Sequence, residues 1–122
     1  MLSYVTVGTN DLPRAAAFYD AVLGELGAAR AMEMDRLIIW ATQPGQPMFA
    51  VCKPYDGKPA TSGNGTMVAI NAGTPEMADR IYHKALSLGA TDEGAPGSRG
   101  DGFYGAYFRD LDGNKFVACV FG

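Results

Sequence analysis

The hydrophobic positions of the chain change from a strand-like pattern to a helix-like pattern within its first quarter. Residues 3–8 mix valine and threonine, which favours a β-strand. Residues 11–24 then place apolar side chains at i, i+3 and i+4 spacing, which predicts a helix with one buried face. Asn10 or Asp11 can cap this helix, and Pro13 is tolerated in its first turn. The chain therefore begins with a strand followed directly by a helix.

The same pattern recurs about half the chain later. Val5-Thr6-Val7 corresponds to Val68-Ala69-Ile70 at a separation of 63 positions, and the helical stripe that follows repeats at the same separation. Leu26-Gly27-Ala28 corresponds to Leu88-Gly89-Ala90 at a separation of 62, so one residue is missing near the end of the second helix. Repetition of this kind predicts two copies of one structural unit.

Three strands are predicted after each helix. They fall near residues 28–32, 36–42 and 48–53 in the first copy, and near 91–93, 103–109 and 115–121 in the second. Asp112-Gly113-Asn114 is a strong hairpin signal between the last two strands. The second helix is expected to have Thr74 as its cap and Pro75 as its first residue, and to end at Gly89, which accepts a left-handed conformation.

These elements predict an α+β fold made of two tandem βαβββ modules. We expect one domain, with module one at about 1–54, a linker at about 55–64 and module two at about 65–122. One such unit cannot cover both faces of its own sheet. The two are therefore expected to form a curved mixed sheet, a half-barrel with the helices outside. Its concave face is a natural pocket for a small molecule.

Composition and charge exclude several classes of function. The 122 residues include 10 basic and 13 acidic ones, and a net charge of −3 argues against a nucleic-acid surface. No apolar run approaches the length of a membrane span. Cys52 and Cys119 show no CxxC spacing and no secretory context, which indicates reduced thiols in a cytoplasmic protein. His83 is the single histidine and lies off the apolar stripe, so we expect it at the surface.

Two segments carry a resemblance to a known family. Residues 4–19 resemble the "HVTLGVxDLxRAxxFY" opening of vicinal-oxygen-chelate proteins, and residues 107–115 resemble their "RDPDGN" signature. The chain is thus similar, over essentially its whole length, to the glyoxalase/bleomycin resistance/extradiol dioxygenase superfamily, and to its bacterial glyoxalase-like subgroup. The resemblance implies the βαβββ fold and a homodimer.

The resemblance also implies where a divalent metal would be bound. In the family, the ligands come from the first, fourth, fifth and eighth strands and are usually His or Glu. These positions fall on Tyr4, Phe49 or Ala50, Met67, and Val117. None of these side chains offers the imidazole or carboxylate donors that Zn, Mn, Fe or Ni require. We therefore expect neither a metal nor another cofactor.

The remaining candidates have both a functional and a structural interpretation. Tyr4 and Met67 are expected to face each other on the concave face, where they either line a pocket or fill it. Arg99 can bind an anion through its planar guanidinium, and Asp101 can act as a base if it is buried; Tyr4, Asp101 and Arg99 are the candidate catalytic residues. Strand aromatics are either core or a surface for planar ligands. The candidate ligand-binding residues are Tyr4, Trp40, Phe49, Met67, Arg99, Phe103, Tyr104 and Tyr107.

Three functions remain open at this point. The first is a metal-free protein that binds a small molecule on the concave sheet face. The second is a glyoxalase-like lyase or isomerase that uses non-standard residues. The third is a non-catalytic structural or partner-binding protein whose pocket is filled. The abundant aromatic residues and the missing metal ligands favour the first.

Overall fold

A computed structural model describes all residues, 1–122, and shows an α+β protein of two βαβββ modules. The chain divides into two compact units, Met1–Ser62 and Gly63–Gly122, which we call the first and second modules. The first module contains β1 (Tyr4–Gly8), α1 (Leu12–Gly24), β2 (Ala29–Glu33), β3 (Leu37–Ala41) and β4 (Met48–Cys52). The second contains β5 (Val68–Asn71), α2 (Pro75–Ser87), β6 (Thr91–Ser98), β7 (Phe103–Arg109) and β8 (Lys115–Phe121). Neither helix is long and apolar enough to cross a membrane.

Each module has one four-stranded mixed sheet with the same topology. The strand orders are β1-β4-β3-β2 and β5-β8-β7-β6. In each sheet the first and last strands of the module pair in parallel, and the other pairs are antiparallel. The predicted pair of tandem βαβββ modules is therefore confirmed.

The edge strand β6 is longer than the sequence predicted. The prediction ended at residue 93, whereas β6 extends over Thr91–Ser98 and includes Gly94, Pro96 and Gly97. Glycine and proline lower strand propensity, but proline is tolerated on an edge strand because one side of that strand needs no donor. The register of β6 against β7 shifts twice along this stretch, as expected for an irregular edge.

Local side-chain hydrogen bonds begin both helices. The carboxylate of Asp11, one of the two predicted caps, accepts from the Arg14 amide at 3.1 Å. Asn10 instead accepts from the Ala60 amide at 2.7 Å, which ties the segment after β4 to the start of α1. In the second module Thr74 caps α2 as predicted, accepting from the Met77 amide at 3.1 Å.

The second module is one residue shorter than the first between its helix and its next strand. Both helices have 13 residues and begin 63 positions apart, whereas β2 and β6 begin 62 apart. In both connections a glycine takes a left-handed conformation, Gly27 at φ 79° and Gly89 at φ 103°. The second helix itself ends at Ser87, so Gly89 shapes the turn that follows it.

Aromatic residues form the core between helix and sheet in each module. In the first module the ring of Tyr19 on α1 lies 5.7 Å from that of Trp40 and 4.8 Å from that of Phe49. In the second module Phe108 and Phe116 are fully buried and stack with ring centroids 5.5 Å apart. Burial of each such side chain contributes about 2–3 kcal/mol.

Candidate functional site

Each sheet has a face that packs on its helix and a face that is turned away from it, which we call the far face. In the second sheet the Tyr104 hydroxyl donates to the carboxylate of Asp79 on α2 at 2.6 Å, so Tyr104 lies on the helix face. Successive strand residues point to opposite faces. The far face of the second sheet, read from β7 and its register with β8, therefore includes Phe103, Gly105, Tyr107, Lys115 and Val117.

Two aromatic rings lie close to a glycine on this far face. A Cβ atom on Gly105 would lie 3.0 Å from Cε2 of Phe103 and 3.4 Å from Cε1 of Tyr107. Any larger residue would push these rings aside. The rings of Phe103 and Phe121 also contact each other, with centroids 4.9 Å apart. Because Phe103 and Tyr107 are both partly exposed, they present aromatic surface to solvent on either side of Gly105.

Two cations lie against the ring of Tyr107. The guanidinium carbon of Arg99 is 5.4 Å from the ring centroid, and Nζ of Lys115 is 5.7 Å from it. Arg99 follows β6 and Lys115 begins β8, and these strands flank β7 on opposite sides. The two cations therefore approach Tyr107 from opposite sides, each in a favourable contact with the ring.

Glycines in β6 make room for the Arg99 side chain. Its Nη2 donates to the carbonyl oxygen of Ala95 at 2.6 Å. A Cβ atom on Gly94 would lie 3.3 Å from Nη2, and one on Gly97 would lie 3.1 Å from Nη1. The guanidinium thus lies close to the backbone of β6 and over the Tyr107 ring.

Neither of these cations has a carboxylate partner. The nearby Arg109 forms an ion pair with Glu93 and also donates to the Gly113 carbonyl at 2.9 Å. Arg99 and Lys115 take part in no ion pair, and the Tyr107 hydroxyl makes no hydrogen bond within the protein. The site therefore combines an aromatic surface, two unpaired positive charges and a free hydroxyl.

Three of the predicted ligand-binding residues lie on helix faces instead. Trp40 is only 1% exposed, and its Nε1 donates to Asp20 of α1 at 3.0 Å. Phe49 contacts the ring of Tyr19 on the same helix. With Tyr104 on the helix face of the second sheet, this placement favours the core interpretation that the sequence left open for these three residues.

The other candidates lie outside the group formed by Arg99, Phe103, Tyr107 and Lys115. Tyr4 is 47% exposed and pairs with Met48 across β1 and β4, and Met67 is 44% exposed just before β5. They belong to different modules, so the expectation that they face each other stays a prediction. Asp101 is exposed in the turn between β6 and β7, at φ 51°. The burial that a basic Asp101 requires is therefore absent.

The metal positions implied by the resemblance are now fixed in register. Thr6 pairs with Ala50, and its repeat equivalent Ala69 pairs with Val117. Ala50 rather than Phe49 is thus the equivalent of Val117. With Tyr4 and Met67, the donor set is a phenol, a thioether and two aliphatic groups, which does not fit a Zn, Mn, Fe or Ni ion. No group of three or more His, Cys, Asp or Glu side chains is placed to hold a metal ion.

The environments of three further titratable residues argue against a catalytic role. His83 is exposed, as predicted. Cys119 is buried in β8, and burial raises the pKa of its thiol, which disfavours the nucleophilic thiolate. In the last hairpin the buried carboxylate of Asp110 accepts from the Asp112 and Asn114 amides at 2.9 and 2.8 Å, which stabilises the turn.

A surface depression of about 460 Å³ lies elsewhere, in the first module. It is lined by Leu2, Ser3, Ala41, Met48 and the turn residues 42–46. None of these side chains is charged, and none was predicted from the sequence as a ligand-binding residue. Its polar groups are the hydroxyls of Ser3 and Thr42 and the amides of Gln43 and Gln46.

Sequence reasoning missed Lys115 and the three glycines that shape the site. Lys115 directly follows the hairpin signature. It lies on the same face as Tyr107 because Tyr107 pairs with Val117, two residues after Lys115. The available signal was this hairpin register, counted outwards from Asp112-Gly113-Asn114. Gly94, Gly97 and Gly105 have no side chain and gave no chemical signal of their own.

Comparison with known proteins gives a consistent family. The family model described as Glyoxalase/Bleomycin resistance protein/Dioxygenase superfamily matches residues 1–118. A glyoxalase/bleomycin resistance protein of Albidiferax ferrireducens T118 is 39% identical, with 98% of each chain covered and a TM-score of 0.91. A comparison with curated proteins gives no match.

More distant structures share the fold. A glyoxalase/bleomycin resistance protein/dioxygenase family enzyme of Burkholderia phytofirmans PsJN is 23% identical, covers 97% of this chain and 96% of its own, and has a TM-score of 0.78. A lactoylglutathione lyase of Agrobacterium tumefaciens is 20% identical, with 98% and 92% covered and a TM-score of 0.71. At these identities the likeness supports the fold alone.

Proposed function

Because the chain belongs to the glyoxalase/bleomycin resistance protein/dioxygenase superfamily, we propose that it binds a small molecule on the far face of its second sheet without a metal ion. The observation that carries this proposal is the partly exposed aromatic surface formed by Phe103 and Tyr107 beside Gly105. When a ligand covers exposed apolar surface, the burial favours binding by roughly 25 cal/mol per Å² of apolar area. A planar ligand fits such a surface best.

The donor chemistry supports the metal-free part of the proposal. The four family positions hold Tyr4, Ala50, Met67 and Val117, which do not suit the usual transition-metal ions. The ligand would therefore be bound by ring contacts and by the polar groups around Tyr107.

The other two functions have weaker support. A lyase or isomerase acting through Asp101 would need a buried carboxylate, and Asp101 is exposed. A filled, non-binding pocket would need these rings to be packed away, and Phe103 and Tyr107 stay partly exposed in the second module. Homodimer formation, implied by the resemblance, and a cytoplasmic location, indicated by the cysteine usage, stay predictions; light scattering after size-exclusion chromatography tests the first.

A thermal-shift screen with planar aromatic compounds in excess EDTA tests the proposed function. A ligand that binds only the folded state raises the Tm, by an amount that grows with its concentration. We expect the rise to persist in EDTA and to be lost in Tyr107→Ala.

Tyr55→Ala provides a matched control. Tyr55 is 89% exposed in the first module and also carries an arginine over its ring, with the Arg36 guanidinium carbon 5.3 Å from the centroid. The ligand-induced rise should be unchanged in this variant. A rise that requires an added divalent ion, or one that survives Tyr107→Ala, would overturn the proposal.

A further inference from the structure

The positive charges around Tyr107 carry information about the ligand. The protein has a net charge of −3, yet Arg99 and Lys115 bring two cations to one ring, and neither forms an ion pair. Glu93, a carboxylate of β6, is already paired with Arg109. Two positive charges beside one ring make the local potential positive, which favours an anionic ligand.

The guanidinium of Arg99 is held by one hydrogen bond to the protein and has further N–H donors available. Its hydrogen bond to the Ala95 carbonyl at 2.6 Å uses one of five N–H groups. The absence of side chains at Gly94 and Gly97 leaves the space that the guanidinium occupies. The remaining N–H groups, Nζ of Lys115 and the Tyr107 hydroxyl can all donate to an oxygen anion.

The surface beside these donors is apolar. From Tyr107 it continues across Gly105 to Phe103, and from there to Phe121, which is 79% exposed. A ligand bound by its charge at Tyr107 would therefore place the rest of its structure on aromatic rings.

Resting on the proposed function, we propose that the ligand is a planar organic carboxylate. Its carboxylate binds beside Tyr107, where Arg99, Lys115 and the Tyr107 hydroxyl are the available donors, and its apolar body covers Phe103 across Gly105. Arg99 and Lys115 are thus the residues that select for an anionic ligand. Aromatic contacts alone would accept neutral and charged ligands alike.

Three probes of one shape and different charge test this selection. Calorimetric titration with 2-naphthoate, 2-naphthamide and 2-naphthylmethylammonium compares an anion, a neutral molecule and a cation. We expect 2-naphthoate to bind about tenfold or more tightly than 2-naphthamide, as charge-assisted hydrogen bonds are the stronger class. The cation should bind least tightly, and added NaCl should weaken only the naphthoate complex.

Substitutions assign the preference to the two cations. Arg99→Gln and Lys115→Gln should each weaken 2-naphthoate about tenfold and leave 2-naphthamide within about twofold. Arg36→Gln removes the same charge from a matched environment, where the arginine donates to the Lys53 carbonyl at 2.8 Å and lies over Tyr55. It should change neither affinity. Thermal unfolding verifies that each variant is folded, and Lys115→Gln decides the matter if Arg99→Gln is not.

The outcomes separate the two proposals. Equal affinity for naphthoate and naphthamide, or naphthoate binding unchanged in both cation variants, would overturn the anion inference and leave the proposed function standing. Absence of Tyr107-dependent binding by any of the three probes would overturn the proposed function as well.

Discussion

The two modules share a topology but differ on their far faces. Strand register equates Leu37 and Ile39 of β3 with Gly105 and Tyr107 of β7, because these residues pair with equivalent positions of β4 and β8. In the first module Leu37 and Ile39 are buried and pack with Ala50, Met48 and Cys52 in an apolar cluster. In the second, the corresponding surface holds a glycine, a tyrosine and flanking cations.

The helix faces, by contrast, are alike. Trp40 and Phe49 of the first module occupy the positions of Phe108 and Phe116 in the second, and aromatic rings meet the helix side in both. Packing against a helix constrains these positions tightly. The exposed rings and unpaired cations that could bind a ligand are therefore on the far face of the second module, whereas both helix faces stabilise the fold.

The largest expected effect comes from removing a shared core ring. Phe116→Ala should lower the free energy of unfolding by about 3–5 kcal/mol, because it leaves a cavity beside Phe108. Phe121→Ala, at an exposed position of the same strand, should change it by less than about 0.5 kcal/mol. Urea denaturation measures both. Similar losses in the two variants would show that the helix face is not the core of the second module.

The modules differ in how their helices are linked to the sheet, and acid should reveal this. Asp20 accepts from Trp40 and forms an ion pair with Arg30 at 2.7 Å, and the hydrogen bond from Arg30 is the main cause that holds the pKa of Asp20 below its ordinary value of 3.8. Asp20→Ala should cost about 1–2 kcal/mol, mostly from the unsatisfied indole.

The sign of the pH dependence follows from that lowered pKa. The contribution of Asp20 is fully present above the unfolded-state value of 3.8 and is lost as pH falls through the lower folded-state pKa. Stability curves of wild type and Asp20→Ala should therefore converge below pH 3.8. Parallel curves down to the acid transition would contradict the assignment.

In the second module a tyrosine provides the corresponding link. The Tyr82 hydroxyl donates to Asp92 at 2.8 Å, and burial, followed by this carboxylate, raises the pKa of Tyr82 above 10.0. Tyr82→Phe should cost about 1 kcal/mol at neutral pH. Because the folded state retains the proton longer, wild-type stability should fall as pH rises above 10, and less steeply in the variant. Equal slopes would contradict this link.

The smallest effect is expected at the proposed site itself. Arg99 is exposed and has no ion pair, so Arg99→Gln should change the free energy of unfolding by less than about 0.5 kcal/mol. Chemical denaturation tests this. A loss above about 1.5 kcal/mol would mean that Arg99 holds the fold rather than a ligand.

The sequence predicted the fold well because each element has its own local signal. Periodicity, the capping residues Asp11 and Thr74 and the hairpin at 112–114 agree with one another at every step. The predicted β6 is shorter than the observed strand because Gly94 and Pro96 have low strand propensity. Pairing with β7 overrides this low propensity.

The candidate site was predicted only in part, because a residue's sheet face depends on register. Arg99, Phe103 and Tyr107 were identified, and the structure brings them together on one face. Tyr104 was grouped with them although it lies on the opposite face, bonded to α2. Tyr104 and Tyr107 are three positions apart, so alternation along β7 places them on opposite faces, but the sequence does not show which of the two faces the helix.

A two-dimensional ¹H–¹⁵N NMR titration of the labelled protein with 2-naphthoate in EDTA locates the ligand on the protein. We predict that the largest shift changes fall on amides of 103–107 and 115–117, and that 37–41 and 48–52 in the first module change little. Largest changes at residues 41–48, around the depression of the first module, or changes that appear only after a divalent ion is added, would contradict the central claim.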